Sequence, residues 1–405
     1  MPSTDARPSQ SWLVVLTLFS VTSLIEAFAY GHVIRFLPLY LRSVGTPDAI
    51  VPRWTGLLST AVFVFGLPLV PFWGVWADKY SRKVVIARSA YVEALVFLAL
   101  ALSQNRYQVA ASLLLVGFQL GNSGVMLSTL RTIAPARHVG FVVAFLGVTP
   151  PIGVALGPLV GGLLVDRGGF TLHQIFLLDG ALSLVSGLML TLFLREVRPP
   201  DPPTGPVLAL VGRALRLVFT TRVTVLLFTI MSLTFLATQT AAPFFPLLVR
   251  RLHPDPAGLA TAIGLVFGVS TLVGALLSPI AGVLGDRYGF QRVLVAAAAA
   301  GAVSLVGMPL APSLLVLALY ALVFGAASAT ATAMVIAQLA VDLPDDRRSA
   351  TLNLVYVPLY LGGILGGVLG ALLVQGGLGL VMTASALLML AGATLAFNRR
   401  SSTAA

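Results

Sequence analysis

The chain has 405 residues, of which 58% are hydrophobic and only 10% charged. A soluble domain carries about 25% charged residues, so this one has too few to coat a water-soluble globule. Its mean hydropathy of +0.97 agrees. With no cysteine, a disulfide framework, a thiol nucleophile, an iron–sulfur cluster and a Cys-based zinc site are excluded. His32, His138, His173 and His253 are the four histidines, and no two stand at metal-ligand spacing. The sequence also lacks GxxxxGK[ST], HExxH and GxSxG, which argues against an ATP-driven pump, a standard hydrolase or a cofactor enzyme. The net charge of +11 raises nucleic acid as a partner until its placement is traced.

A short polar stretch, 1–11, precedes an apolar run over 12–41 that is too long for the core of a cleaved signal peptide. Apolar runs between charged or Pro/Gly punctuation predict twelve spanning helices. Six lie near 12–41, 54–77, 83–104, 107–130, 138–165 and 170–194. Six more lie near 222–249, 256–285, 292–312, 313–340, 349–375 and 377–397, with the block 292–340 cut at Ala311, Pro312 and Ser313. The expected fold is an all-α membrane protein of two six-helix bundles, 12–194 and 222–398, joined by a linker over 195–221. That linker is proline-rich, then basic and amphipathic, and 207–219 suits the membrane surface.

Lys and Arg alternate with these spans. One side of the membrane receives 18 of the 25, the other six, and Arg35 lies within the first helix. The rule that cytoplasmic loops are rich in positive charge then predicts both termini in the cytoplasm. The basic excess reads as topology, so no nucleic-acid partner is expected.

The halves superpose in sequence. An offset of 208 pairs Pro38 with Pro246, Arg42 with Arg250, Gly56 with Gly264, Gly66 with Gly274, Gly74 with Gly282 and Asp78 with Asp286. After one extra residue in the second loop the offset is 209, pairing Lys83 with Arg292, Gly153 with Gly362, Gly157 with Gly366 and Gly161 with Gly370. Six helices per half start each half on the same side, so the repeat is parallel. Such halves bracket a substrate site near the midplane.

Two motifs narrow this further. The loop after the second helix reads Gly74-Val-Trp-Ala-Asp78-Lys79-Tyr80-Ser81-Arg82-Lys83, and its counterpart carries Gly282, Asp286, Arg287, Tyr288, Gly289 and Arg292. This resembles the doubled GxxxDRxGRR signature, motif A, of the major facilitator superfamily. The resemblance implies a gating latch in which Gly74 permits close helix approach and Asp78 accepts bonds from a helix N-terminus or an arginine. A solvated basic loop serving topology alone is the plainer alternative. Ser81 stands where the family has glycine, which predicts a less permissive turn. The fifth helix carries Gly153, Gly157, Pro158, Gly161 and Gly162. It is similar to motif C, GxxxGPxxGG, which implies the drug:proton antiporter branch, although small-xxx-small packing also explains it. Ala144 occupies a position where the full pattern has glycine. Gly117 stands where motif B of the family places an arginine, so a proton route through that residue is missing.

Acidic side chains at membrane depth complete the reading. Glu26 lies about 21 Å along the first helix from Trp12, and an ionised group there costs about 2.5–3.5 kcal/mol, so it needs a partner, water or a proton. It is a candidate proton or cation site, with structural hydrogen bonding as the alternative, and Tyr30 shares its face. Glu93 and Asp179 sit at comparable depth on helices that are peripheral in the family, where they either take part in coupling or pair within their bundle. Gln119, Asn122, Gln239, Asn353 and Tyr356 are candidate cavity residues or ordinary interhelical partners. Phe28, Phe235 and Phe244 read as packing. No metal is expected.

The combined expectation is a monomeric, multi-pass protein of the cell's inner membrane with protons, lipid and a small molecule as partners. It would export amphipathic, drug-like molecules for protons by alternating access. A symporter or exporter of a sugar or other metabolite is the alternative on the same fold. A scaffold has no use for two gating loops, and an intramembrane enzyme lacks a catalytic constellation.

Overall fold

The computed structural model describes residues 10–199, 202–219, 222–342 and 356–403. Among the described residues no strand occurs, and twelve helices are long and apolar enough to cross a membrane. The first six are α1 (Trp12–Ser43), α2 (Val51–Lys79), α3 (Arg82–Ala101), α4 (Arg106–Ile133), α5 (Val139–Asp166) and α6 (Leu172–Phe193). The rest are α7 (Thr224–Leu252), α8 (Leu259–Tyr288), α9 (Phe290–Leu310), α10 (Leu314–Leu339), α11 (Val357–Gly376) and α12 (Leu378–Phe397). The block 292–340 divides where expected, before Leu314. A further helix, Val207–Phe219, connects α6 to α7 and lies against the second part of α2.

Three spans are interrupted, each for a local reason. In α2 the helix breaks at Phe65, because Pro68 has no N–H for the carbonyl of Val64. The break in α4 falls at Leu120–Gly121, where Gly121 adopts φ +101°, a conformation open mainly to glycine. A 3₁₀ turn, Ala242–Phe244, interrupts α7 between Pro243 and Pro246. By contrast, α5 stays continuous through Pro150, Pro151 and Pro158.

Close backbone approaches made at glycines set the frame. The glycines of α5 let it approach α1: a Cβ added at Gly157 would stand 2.2 Å from the Phe28 carbonyl oxygen, and Gly153 and Gly161 lie along the same seam. The repeat partner α11 meets α7 in the same way, with a Cβ at Gly366 only 2.9 Å from the Leu236 oxygen. Each of these helices also crosses to the other half. Gly264 of α8 would place a Cβ 2.1 Å from the Pro158 oxygen, Gly162 faces Ala260, and Gly56 of α2 would place one 2.8 Å from Ala371 N. Thus α5 relates to α1 and α8 as α11 relates to α7 and α2. Small residues let helices approach closely where lipid gives no hydrophobic drive for association.

Among the described residues, the polar contacts that join the halves gather at one end. There the Thr261 N–H, an orphan donor at the N-terminus of α8, donates to Asp166 Oδ2 at 2.6 Å, and the Thr261 hydroxyl donates to Gly162 O at 3.1 Å. Thr60 Oγ1 donates to Ile364 O at 3.2 Å. Asp48 takes Arg42 from its own half and Arg250 Nη1, at 3.5 Å, from the other. At the opposite end, a Cβ added at Gly74, Gly140, Gly147 or Gly282 would meet nothing within 4 Å among the described residues. Gly74 therefore makes no close helix approach in this arrangement, which corrects the expectation drawn from motif A.

Candidate functional site

The break in α4 builds the centre of the site. Helix termini leave carbonyls without intrahelical partners, and at membrane depth these must be satisfied from elsewhere. Arg88 and Ser89 of α3 supply the donors. Arg88 Nη2 reaches Gln119 O and Leu120 O at 3.2 and 3.1 Å, and Ser89 Oγ reaches Gln119 O at 2.6 Å. The Arg88 guanidinium also lies 3.8 Å from the centre of the Trp73 ring, a cation–π contact. Freed from a regular helix, Gln119 and Asn122 direct their amides at α1. Gln119 Nε2 donates to Glu26 Oε1 at 3.1 Å and Asn122 Nδ2 donates to Glu26 Oε2 at 2.9 Å. Both amides are buried while Glu26 is half-buried. Each oxygen of the carboxyl is held by one neutral donor, an arrangement that leaves it free to bind a proton or a cation.

In sequence Arg88 counts only as one of the basic residues that follow α2, and nothing there foretells its role at the α4 break. Its position about 9 Å beyond Arg82 along α3 is the one available signal. Gly117 explains why the motif B arginine is missing: a Cβ there would stand 2.5 Å from Phe65 Cβ and 2.8 Å from Gly66 N, so the α2 break occupies the space of any side chain.

A second group of ionisable side chains lies deeper in the same bundle. Glu93 is 3% exposed, and its Oε1 has no hydrogen-bond partner among the described residues. It is within electrostatic reach of Glu26 and Asp179 and has Ser183 and Gln119 as side-chain neighbours. Asp179 and His32 are both 0% exposed, with His32 Nδ1 2.9 and 3.1 Å from the two carboxylate oxygens. The imidazole sits between the rings of Phe28 and Phe36, at 4.8 and 5.9 Å between centroids. Gly161 of motif C makes room for it, since a Cβ there would stand 2.5 Å from His32 Nε2. Sequence reasoning misses His32, because its four- and six-residue spacings from Phe28 and Glu26 carry no familiar motif.

Tyr30 stands apart from the hydrogen bonds of Glu26. It lines a cleft between the halves with Val33, Ile34, Leu58, Ser59 and Gln239, so this pair of candidate substrate residues does converge. Tyr356 is the residue just before the span α11, and Asn353 lies outside the described residues. Phe28 and the fully buried Phe244 act in packing as expected. Arg35 does not pair with Glu26, and its guanidinium lies 5.0 Å from the ring centre of Phe267 and 5.9 Å from that of Phe245.

The two motif A loops differ. In the first, Arg82 is 6% exposed at its side chain and binds Asp78 Oδ1 through Nη2 at 2.8 Å and Nε at 2.9 Å. Its Nη1 donates to Thr132 Oγ1 at 2.9 Å, joining α3 to α4. Glu196 accepts from the Arg82 backbone N–H at 2.9 Å and also bonds Ser81 Oγ, so a carboxylate sits on the N-terminus of α3. Lys79 Nζ reaches Gly205 O at 2.6 Å and Lys83 Nζ reaches Thr191 O at 2.8 Å. Ser81 has an extended backbone, φ −160°, and caps α3 by accepting from Val84 N–H at 3.1 Å. Glycine is not needed there, so the substitution does not make the turn less permissive. In the second loop Gly289 takes φ +92°. There the side chains of Asp286 and Arg292 have no hydrogen-bond or ion-pair partner among the described residues, and Arg287 stacks on Tyr288 at 5.3 Å.

Comparison with known proteins adds independent information. The family model described as "Major Facilitator Superfamily" matches residues 19–263 and 227–404. The chain is similar to "Multidrug resistance protein MdtG" of Enterobacter lignolyticus, 32% identical over 306 residues that cover 73% of this chain and 70% of that protein. It is 30% identical to the protein of the same name from Salmonella typhimurium over 326 residues, 78% of each. Among solved structures, a mutant of the nucleoside transporter NupG superposes with a TM-score of 0.77 at 18% identity, covering 96% of this chain and 99% of that one. The human organic anion transporter MFSD10 (TETRAN) gives 0.69 at 17% identity, covering 96% and 100%. At these identities the structural likeness speaks to fold alone.

Proposed function

The chain belongs to the Major Facilitator Superfamily, and from that premise we propose that it exports small amphipathic, drug-like molecules in exchange for protons. It is a multi-pass membrane transporter, not an enzyme. The names of the relatives at about 30% identity support drugs as the substrate class. One observation carries the coupling: Glu26, half-buried at mid-depth, has each carboxyl oxygen held by a neutral amide, from Gln119 and Asn122. A carboxyl held so is retained in either protonation state, and a proton and a cationic substrate compete for it. Tyr30 and Gln239, facing one cleft from the two halves, would contact the apolar body of the substrate.

Alternating access is the accompanying proposal. Excess basic residues on the motif A side support a cytoplasmic location for that side and for both termini. The described polar contacts between the halves, Thr261–Asp166 and Thr60–Ile364, lie away from that end, which supports reading this arrangement as inward-facing. Drug loads from the cytoplasm or inner leaflet while Glu26 is deprotonated. Reopening on the far side and protonation of Glu26 release it. The protein works as a monomer in the inner membrane, since each half supplies its own frame and the cleft needs only one chain.

The test uses everted vesicles, acidified inside beforehand, to which a panel of lipophilic cations and neutral drugs is added. Wild type should alkalinise the lumen on drug addition, and Glu26→Gln, inserted to the same level, should not. Silence of the wild type across the panel would overturn the reading in favour of metabolite transport on the same fold.

A further inference from the structure

Beyond Glu26, the N-terminal bundle contains ionisable groups that drug exchange for a single proton leaves without a task. Three carboxyls lie on α1, α3 and α6 of one bundle: buried Glu93 is within electrostatic reach of both half-buried Glu26 and buried Asp179. Arg88 is the permanent cation within electrostatic reach of Glu26. Arg35, on the same helix as Glu26, is taken up by Phe245 and Phe267. Through its spanning residues 139–165, α5 contributes no titratable side chain, and α4 brings Gln119 and Asn122. With a neutral imidazole and three ionised carboxyls the group would hold two uncompensated negative charges. Uncompensated charge in a low-dielectric interior is costly. Two protons bring the group to neutrality, and Glu26 accounts for one exchange site.

His32 is placed to account for the other. Its Nδ1 contacts both oxygens of Asp179, while Nε2 is buried against Gly161 with no hydrogen-bond partner among the described residues. A histidine held for structure usually satisfies both ring nitrogens. Here Nε2 has no partner, so the Asp179 carboxylate is the one contact that stabilises an added proton on the ring. We infer that His32 and Asp179 hold a second exchangeable proton, passed to and from Glu26 through Glu93. In that step the proton leaves His32 Nδ1 for an Asp179 oxygen, the Asp179 carboxyl gives it to Glu93, and Glu93 gives it to Glu26. The ring starts as imidazolium and ends neutral with its remaining proton on Nε2, and both intermediate acids regain their starting states. His32 is thus a relay residue that need not touch the substrate. The inference rests on the proton-exchange reading and extends it from one proton to two.

Nuclear magnetic resonance of isotope-labelled histidine tests this directly, because only four histidines are present and His32→Gln assigns the signal. In protein held in lipid nanodiscs at fixed pH, adding a transported lipophilic cation should move the His32 ring nitrogens between the imidazolium and imidazole patterns. The same addition should leave them still in Glu26→Gln. Protons released on drug addition are counted in the same samples, and Asp179→Asn, which keeps an acceptor for the ring, should release about half as many as wild type. A His32 signal indifferent to drug from about pH 5 to about pH 9, in wild type that does release protons through Glu26, would overturn the relay and leave the proposed function standing. Wild type that binds drug without releasing protons would overturn both.

Discussion

The two halves of the molecule share a backbone frame but not a chemistry. Gly157 on Phe28 and Gly366 on Leu236 are repeat-related and make the same close approach, as do Gly264 on Pro158 and Gly56 on Ala371 across the halves. Yet the described core of the second half holds no buried Asp, Glu, His, Lys or Arg, whereas the first buries His32, Glu93 and Asp179 in the same bundle as the half-buried Glu26. The difference teaches what duplication preserves. Helix approach distances leave no room for a Cβ and so tolerate little drift, while a polar residue needs keeping only where it does chemistry. One half can then carry the ions while the other supplies a matching wall.

The largest effects should fall on the shared frame. Gly157→Val and Gly366→Val each force two backbones apart, and overpacking of this kind is expected to cost more than about 4 kcal/mol, the range reserved for core disruption. Both should lose folded, detergent-extractable protein to a similar degree. Tolerance of Gly366→Val alone would mean that the frame is not equally shared. A smaller and asymmetric effect is expected from polar deletions. Asn122→Leu removes a hydrogen bond to a charged group worth about 1.5–3 kcal/mol, so proton-driven transport should fall by about tenfold or more. Gln239→Leu, in the second half, should raise the KM for drug by a few-fold with protons moved per drug unchanged. Equal loss of coupling in both would erase the asymmetry.

The motif A loops give the smallest and sharpest contrast. Gly289→Ser forces a side chain into φ +92° and should cost about 1–3 kcal/mol of stability. The mirror change Ser81→Gly gives up a helix cap for a few tenths of a kcal/mol. Thermal melts in detergent compare them, and equal shifts would contradict the backbone difference described.

Much of the architecture is legible because membrane burial writes itself into composition. Long apolar runs, the loop prolines and the basic asymmetry are one-dimensional signals, and the repeat offset changes at the single extra residue before Arg292. Glu26, Gln119 and Asn122 are legible as polar exceptions in apolar helices. That they meet is not, since this depends on the α4 break at Gly121. The break at Phe65 is likewise hidden, and with it the reason that Gly117 cannot be an arginine. His32 and Arg88 escape because each acts through a contact more than thirty residues distant or across a helix gap, with no spacing that marks it. Gly74 fails as a close-contact residue for a different reason. In the proposed cycle its contacts would depend on which end of the molecule is closed, and one sequence would serve every state.

The most direct test of the account is the pH dependence of equilibrium drug binding, measured on wild type and Glu26→Gln in nanodiscs. If proton and drug exclude each other at Glu26, linkage requires that each weaken the other. The apparent Kd of wild type should then rise as pH falls, approaching about tenfold per pH unit for each proton that binding displaces, while Glu26→Gln should bind with little dependence on pH. A wild-type affinity that is flat with pH, or a slope that Glu26→Gln leaves unchanged, would contradict the assignment of coupling to this carboxyl.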